Sequence, residues 1–277
     1  MFNIIVDSIN KKLQSEFELN LHTASLRALE DNNNPIRFNS FAYSFRELTR
    51  HIFERLAPNE SVLKCQWYKN ETEKDNGITR RQRMLYAIKG GLADEFIQEE
   101  LELDISVITK NLKKAIDKLS KYTHIEEATF NTDSQIGNDM VHNSLNSLNE
   151  FLETIENVRN QIRNAYESRM FDQISDAVNS DVIQEIDILA THYWIESAYA
   201  EEISVVTIDD SMIKVLVSGS VDVKHQYGSD GDFRRGDGVR FEESYPLKVT
   251  ISIDIDTPMD FNIHSKDIKI DNSKFYE

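Results

Sequence analysis

The spacing of apolar residues changes period once along this chain, near residue 180, and that change restricts the fold more than any other feature. Before it, apolar side chains recur every three to five residues; after it they alternate. Ile5, Ile9, Leu13, Phe17, Leu21 and Leu26 predict a helix over 4–30, stopped by the polar run Asp31–Pro35. Phe41, Phe45, Leu48, Ile52 and Leu56 predict a second helix over about 40–57, ending before Pro58. Residues 58–78 are polar and read as a long loop. Thr79 caps the next helix, which carries Arg80, Arg81, Arg83, Leu85 and Ile88 and is closed by Gly90-Gly91. Short helices follow near 92–101 and 104–122, then a polar loop over 129–140. Leu145, Leu148, Phe151, Leu152, Ile155, Val158, Ile162 and Tyr166 mark a long amphipathic helix over about 141–178.

Beyond 180 the pattern is alternation and β-branching. Trp194-Ile195, 203–208, 212–217, 221–223 and 245–255 read as strands. Asp209-Asp210-Ser211 and Ser218-Gly219-Ser220 read as hairpin turns, and 227–239 as a Gly/Asp-rich loop. The fold class is therefore α+β: a helical domain over 1–180, followed by a small antiparallel β-sheet domain over 181–277. Cys65 is the one cysteine, so no disulfide framework is available. No apolar run reaches the roughly 18 residues of a membrane span. The opening apolar stretch breaks at Asp7, short of a secretory leader. These features predict a soluble, cytoplasmic protein with no membrane partner.

Charge is distributed unevenly. The chain holds 31 Lys+Arg against 48 Asp+Glu, a formal net of −17. Such a balance excludes a general DNA-coating protein, whose phosphate contacts need clustered cations. Residues 165–277 hold 10 basic and 23 acidic side chains, whereas residues 37–91 hold 11 basic and 6 acidic ones. A basic island in an acidic surround suits a site that admits one phosphate-rich segment.

Arg46, Arg50 and His51 lie in that island on a predicted helix. Five steps of about 100° separate Arg46 from His51 by about 140°, so the two meet only across a helix pair or a dimer seam. A His can take the proton of a 2′-hydroxyl or protonate the leaving oxygen, and an Arg can stabilise charge on the phosphorane. Arg80, Arg81 and Arg83 are candidates for backbone binding. His124 is a candidate second acid/base group, or a helix end stabilised by His. A different chemistry is open to Asp230, Asp232 and Asp237, whose carboxylates could hold Mg²⁺. They equally suit a turn, and Arg234 and Arg235 among them could meet a partner or a phosphate. No Walker loop is present, which excludes an ATPase of that class.

Two resemblances follow from these residues. The Arg-x4-His spacing of Arg46 and His51 resembles the motif of HEPN ribonucleases, in which the Arg and His cluster at a dimer interface. That implies metal-independent RNA cleavage by a homodimer with a HEPN-like helical domain and no cofactor. Several longer stretches together resemble the predicted pPIWI-associating nucleases. These are Phe45–His51 with Leu56-Ala57-Pro58, Thr79–Arg83, Lys121–Ile125, Ala190–Tyr193 and Gln226–Gly238, spread over residues 41–250. This resemblance implies a nuclease or toxin component of prokaryotic antiphage defence, with a PIWI/Argonaute-type partner and RNA as the favoured nucleic acid. Arg46, His51, Arg80, Arg81 and His124 are the positions it matches. A non-catalytic accessory or sensor subunit, docking through the acidic domain, is the alternative from another class.

Overall fold

The computed structural model describes residues 3–276. Met1, Phe2 and Glu277, which the expected domain spans include, lie outside the described residues. The chain packs as two compact units that divide between Val158 and Arg159. That division falls inside the long helix, while the change from helix to strand follows at 180–192.

The first unit is helical throughout. α1 (Asn3–Lys12) and α2 (Glu16–Arg27) replace the single helix expected over 4–30. The chain breaks there because Ser15 caps α2, its hydroxyl accepting from the Glu18 N–H at 3.1 Å. The Glu18 carboxylate reaches back to the Gln14 N–H at 3.1 Å and takes the Arg55 guanidinium at 2.7 Å. Ser-x-x-Glu at a helix start satisfies orphan backbone donors, and here that local chemistry overrides a continuous apolar stripe.

α3 (Arg37–Leu56) is the central element and packs against α2, α5 and α6. Phe41, Ala42, Phe45, Leu48 and Ile52 are fully buried on it, as their spacing of three and four requires. The segment expected to be a loop over 58–78 begins instead with α4 (Asn59–Lys64). Val62 and Cys65 pack with Ala57 and Tyr86 in a small satellite core covered by Trp67, Tyr68 and Ile78. α5 (Arg80–Lys89) carries the capping box of Thr79 and Gln82, and Gly90 ends it at φ 56°. A π-helical turn (Phe96–Glu100) and α6 (Ser106–Ser120) follow. α7 (Ser134–Ser180) starts inside the stretch 129–140, which was expected to be a loop. In the first unit its Phe151 meets Phe53 of α3 edge to face at 5.5 Å.

The second unit holds the end of α7, the turn α8 (Gln184–Asp187) and a four-stranded sheet. β1 (His192–Ile208), β2 (Met212–Tyr227), β3 (Val239–Asp254) and β4 (Ile268–Ile270) pair antiparallel in the order β1-β2-β3-β4. Ile213, Val215, Val217, Val221 and Val223 alternate onto the buried face, opposite Ile253, Ile251, Val249, Tyr245 and Glu243 in register. The segment 258–263 is strapped to α7. The Tyr166 hydroxyl donates to the Pro258 carbonyl at 2.6 Å, and Gln173 bonds both the Phe261 carbonyl and the Ile263 N–H.

Ser218-Gly219-Ser220 is not a turn but the middle of β2. A Cβ on Gly219 would lie 1.9 Å from the Tyr199 carbonyl oxygen, so glycine stands here for close backbone approach beside a register shift in β1. The stretch 227–239 contains a short helix, α9 (Asp230–Arg235). Ser229 and Asp232 form its capping box, and Gly236 closes it at φ 84°.

Candidate nucleic-acid site

Residues of the basic island converge in the first unit. α3 and α5, with Ile78 just before the Thr79 cap, enclose a cleft of about 230 Å³. It is lined by Arg46, Glu47, Thr49, Arg50, Phe53 and Glu54 of α3, and by Ile78, Arg80 and Arg83. The helical period explains the α3 set, since steps of three and four keep residues 46, 50, 53 and 54 on one side of the axis. The capping box fixes where α5 begins and so presents Arg80 and Arg83 from its first turn.

The four guanidiniums are held in different ways. Arg50 is clamped by Glu47 at 3.0 Å and Glu54 at 2.8 Å. The hydrogen bond it donates to Glu54 first, then the one to Glu47, pushes its pKa above the ordinary arginine value. Arg80 pairs with Asp117 at 3.0 Å. Arg46 donates to the Thr123 hydroxyl at 3.4 Å, and Arg83 donates to the Ala57 carbonyl at 2.7 Å and to Asn59. Among the described residues neither Arg46 nor Arg83 has a carboxylate within ion-pair distance. The lining therefore holds four guanidiniums and two carboxylates, with Asp117 engaging Arg80 from outside it, and the uncompensated charge lies on Arg46 and Arg83. In a concave site, such an excess focuses a positive field on an anion.

His51 is adjacent to the cleft but not among its lining residues. Its ring meets Phe17 of α2 edge-on at 4.8 Å, and its Nε2 lies 3.0 Å from Nη2 of Arg50. A guanidinium only donates, so in this arrangement Nε2 is the acceptor nitrogen. Arg81 points to solvent on the same helix as Arg80 and Arg83, outside the cleft. His124 is exposed in the connection after α6, next to the Thr123 that binds Arg46. Glu47 and Glu54 escaped the sequence reading. Their signal was available: they stand three residues before and four residues after Arg50, the spacing of helical ion pairs.

In the second unit each of the three aspartates has another occupation. Asp232 accepts from the Ser229 N–H at 2.8 Å and hydroxyl at 2.7 Å, and pairs with Arg235. The Ser229 hydrogen bonds hold its carboxyl below the ordinary range. Asp230 accepts from Gln226 at 3.1 Å and faces Arg240 at 3.7 Å, while Asp237 lies 3.7 Å from Arg235. Arg234 donates to the Asp230 carbonyl. Among the described residues no three His, Cys, Asp or Glu side chains are grouped to hold a metal ion.

The fold and cleft thus define a class: an α+β protein whose helical unit gathers arginines around an anion-sized cleft and whose second unit is an acidic antiparallel sheet. Two family models match the chain, both described as predicted pPIWI-associating nuclease, one over residues 10–148 and the other over 155–276. The chain belongs to this family of predicted pPIWI-associating nucleases. The junction of the two matches lies close to the division between the two units. No curated protein and no solved structure matches the chain. No helix among the described residues is long and apolar enough to cross a membrane.

Proposed function

We propose that this chain is the nuclease component of a cytoplasmic antiphage defence system, acting with a PIWI/Argonaute-type partner and binding a nucleic-acid backbone in the arginine cleft. The observation that carries this reading is the convergence of Arg46, Arg50, Arg80 and Arg83 on one cleft, in a chain of net charge −17. An acidic protein that concentrates guanidiniums in a concavity has a local anion to bind. A phosphate entering there replaces Glu47 or Glu54 on Arg50 and takes the donors of Arg46 and Arg83 that no carboxylate occupies.

The favoured chemistry is metal-independent RNA cleavage. The 2′-hydroxyl attacks the adjacent phosphorus, the bond to the 5′-oxygen breaks, and the products are a 2′,3′-cyclic phosphate and a 5′-hydroxyl. Once Arg50 turns from it to the phosphate, His51 Nε2 would take the 2′-hydroxyl proton and return a proton to the leaving 5′-oxygen, and Arg46 would face the phosphorane charge. One His and one Arg make a sparse site, so a homodimer would supply the second set. The accessory-subunit reading is favoured by one observation: the His51 ring packs on Phe17 rather than lining the cleft.

The test is incubation of the purified chain, alone and with its partner, with labelled RNA and DNA in Mg²⁺ or EDTA, beside His51→Ala. The expected result is RNA cleavage that persists in EDTA and is lost in the variant. Cleavage only with metal would move the chemistry to carboxylates such as Asp230, Asp232 and Asp237. Absence of cleavage in every lane would leave the accessory role.

A further inference from the structure

We infer that Tyr43 is a base-stacking residue beside the cleft and that the substrate class is single-stranded nucleic acid; this rests on reading the arginine cleft as a phosphate site. Tyr43 lies on α3 and is 61% exposed. Among the described residues no hydrogen bond or ring contact engages it, although it stands on the helix that packs against α2, α5 and α6. Its place on the helix is what gives it a role. Seven residues at 100° bring Arg50 within about 20° of Tyr43 around the axis, and Glu47 stands one turn along the same ridge. Arg46 is three residues away and also on this side.

The surface beyond Tyr43 is held in place as well. Asn39, one turn before it, donates to the Tyr122 carbonyl at 2.9 Å, and Arg46, just after it, donates to Thr123. The connection 121–124 is therefore fixed alongside the ridge, with Lys121 and His124 exposed on it. An exposed aromatic ring next to a cationic cleft is the arrangement that binds single strands: guanidiniums track the phosphates and a base stacks on the ring. Bases of a duplex are stacked inside it and have no face to offer. Tyrosine supplies the flat surface with little conformational entropy to lose, and its hydroxyl is not needed for stacking.

The test measures anisotropy of a labelled single-stranded RNA, the same length of duplex RNA, and an abasic single strand, with the wild-type chain, Tyr43→Ala, Tyr43→Phe and Arg83→Ala. Circular dichroism of each variant confirms the fold. Expected is tighter binding of the single strand than of the duplex, and a loss of about 5- to 150-fold for Tyr43→Ala on the single strand alone. Tyr43→Phe keeps wild-type affinity, the abasic strand does not distinguish wild type from Tyr43→Ala, and Arg83→Ala lowers the salt slope by about one. Wild-type affinity of Tyr43→Ala for the single strand, with the Arg83→Ala effect intact, overturns the stacking role and leaves the cleft standing. No effect of Arg83→Ala on binding, or no binding at all, overturns the cleft reading and this inference with it.

Discussion

His22 shows how one buried group sets the response of the helical unit to acid. It is fully buried; Nδ1 bonds the Asn10 side-chain oxygen at 2.8 Å, and among the described residues Nε2 has no hydrogen-bond partner. Asn10 offers an oxygen there, so Nδ1 carries the proton and Nε2 is a bare acceptor. Protonating Nε2 would bury a cation with nothing to receive its N–H, and burial accordingly lowers the pKa from 6.5 to about 4. The unfolded chain binds that proton first. Stability is therefore fully present above pH 6.5 and falls as the pH drops toward 4, by up to about 3 kcal/mol from this group. Urea midpoints at pH 7.5 and 4.5 check it: His22→Leu should lose less stability between the two than the wild type does, since contributions from other groups are common to both. Gly219 makes a second case. A methyl group at this position collides with the Tyr199 backbone, and strand register leaves no room to yield, so Gly219→Ala should cost about 1–3 kcal/mol in thermal unfolding. The sequence made this glycine look like a turn because Ser-Gly-Ser is turn chemistry; the close approach that explains it involves a strand twenty residues away.

At the scale of elements, caps decide more than stripes. The apolar spacing of α3 and of the long helix was legible because burial repeats along their whole length. The break between α1 and α2 was not, since Ile9, Leu13, Phe17 and Leu21 continue the stripe across it while Ser15 and Glu18 end it locally. The Thr79 cap was legible, and it positions part of the site. Thr79→Ala removes the hydroxyl that accepts the Gln82 N–H at 3.2 Å, one half of the box, at a cost of about 1 kcal/mol. It should also weaken RNA binding by a few-fold, because Arg80 and Arg83 sit in the first turn that the cap orders. Melting temperature and RNA affinity measured on the same variant check both; an affinity change without a stability change would contradict this account. The site itself was half legible. Basic residues singled out their own positions, but which of them meet depends on how α5 lies on α3. That is why Arg81, with the same sequence credentials as Arg80 and Arg83, ends in solvent.

The whole molecule combines a cationic cleft with a large excess of acid, and the two act over different distances. Residues 159–277 hold 12 basic and 23 acidic side chains, so this unit carries most of the net negative charge of the chain. Guanidinium–phosphate contacts in the cleft act at hydrogen-bond range, whereas the acidic field reaches about 30 Å at 0.01 M salt and about 8 Å at 0.15 M. The acidic unit should therefore slow association at low salt and leave dissociation untouched. Glu201 and Glu202 are exposed on the edge strand β1, where neutral replacements leave the sheet core alone. Changing both to Gln should raise the RNA association rate more at 0.01 M salt than at 0.15 M, and leave the dissociation rate constant at both. Stopped-flow traces at the two salt concentrations decide the matter. A changed dissociation rate in the double variant, slower if they repel its phosphates, would mean that these carboxylates act on the bound strand at contact range rather than as a field around it.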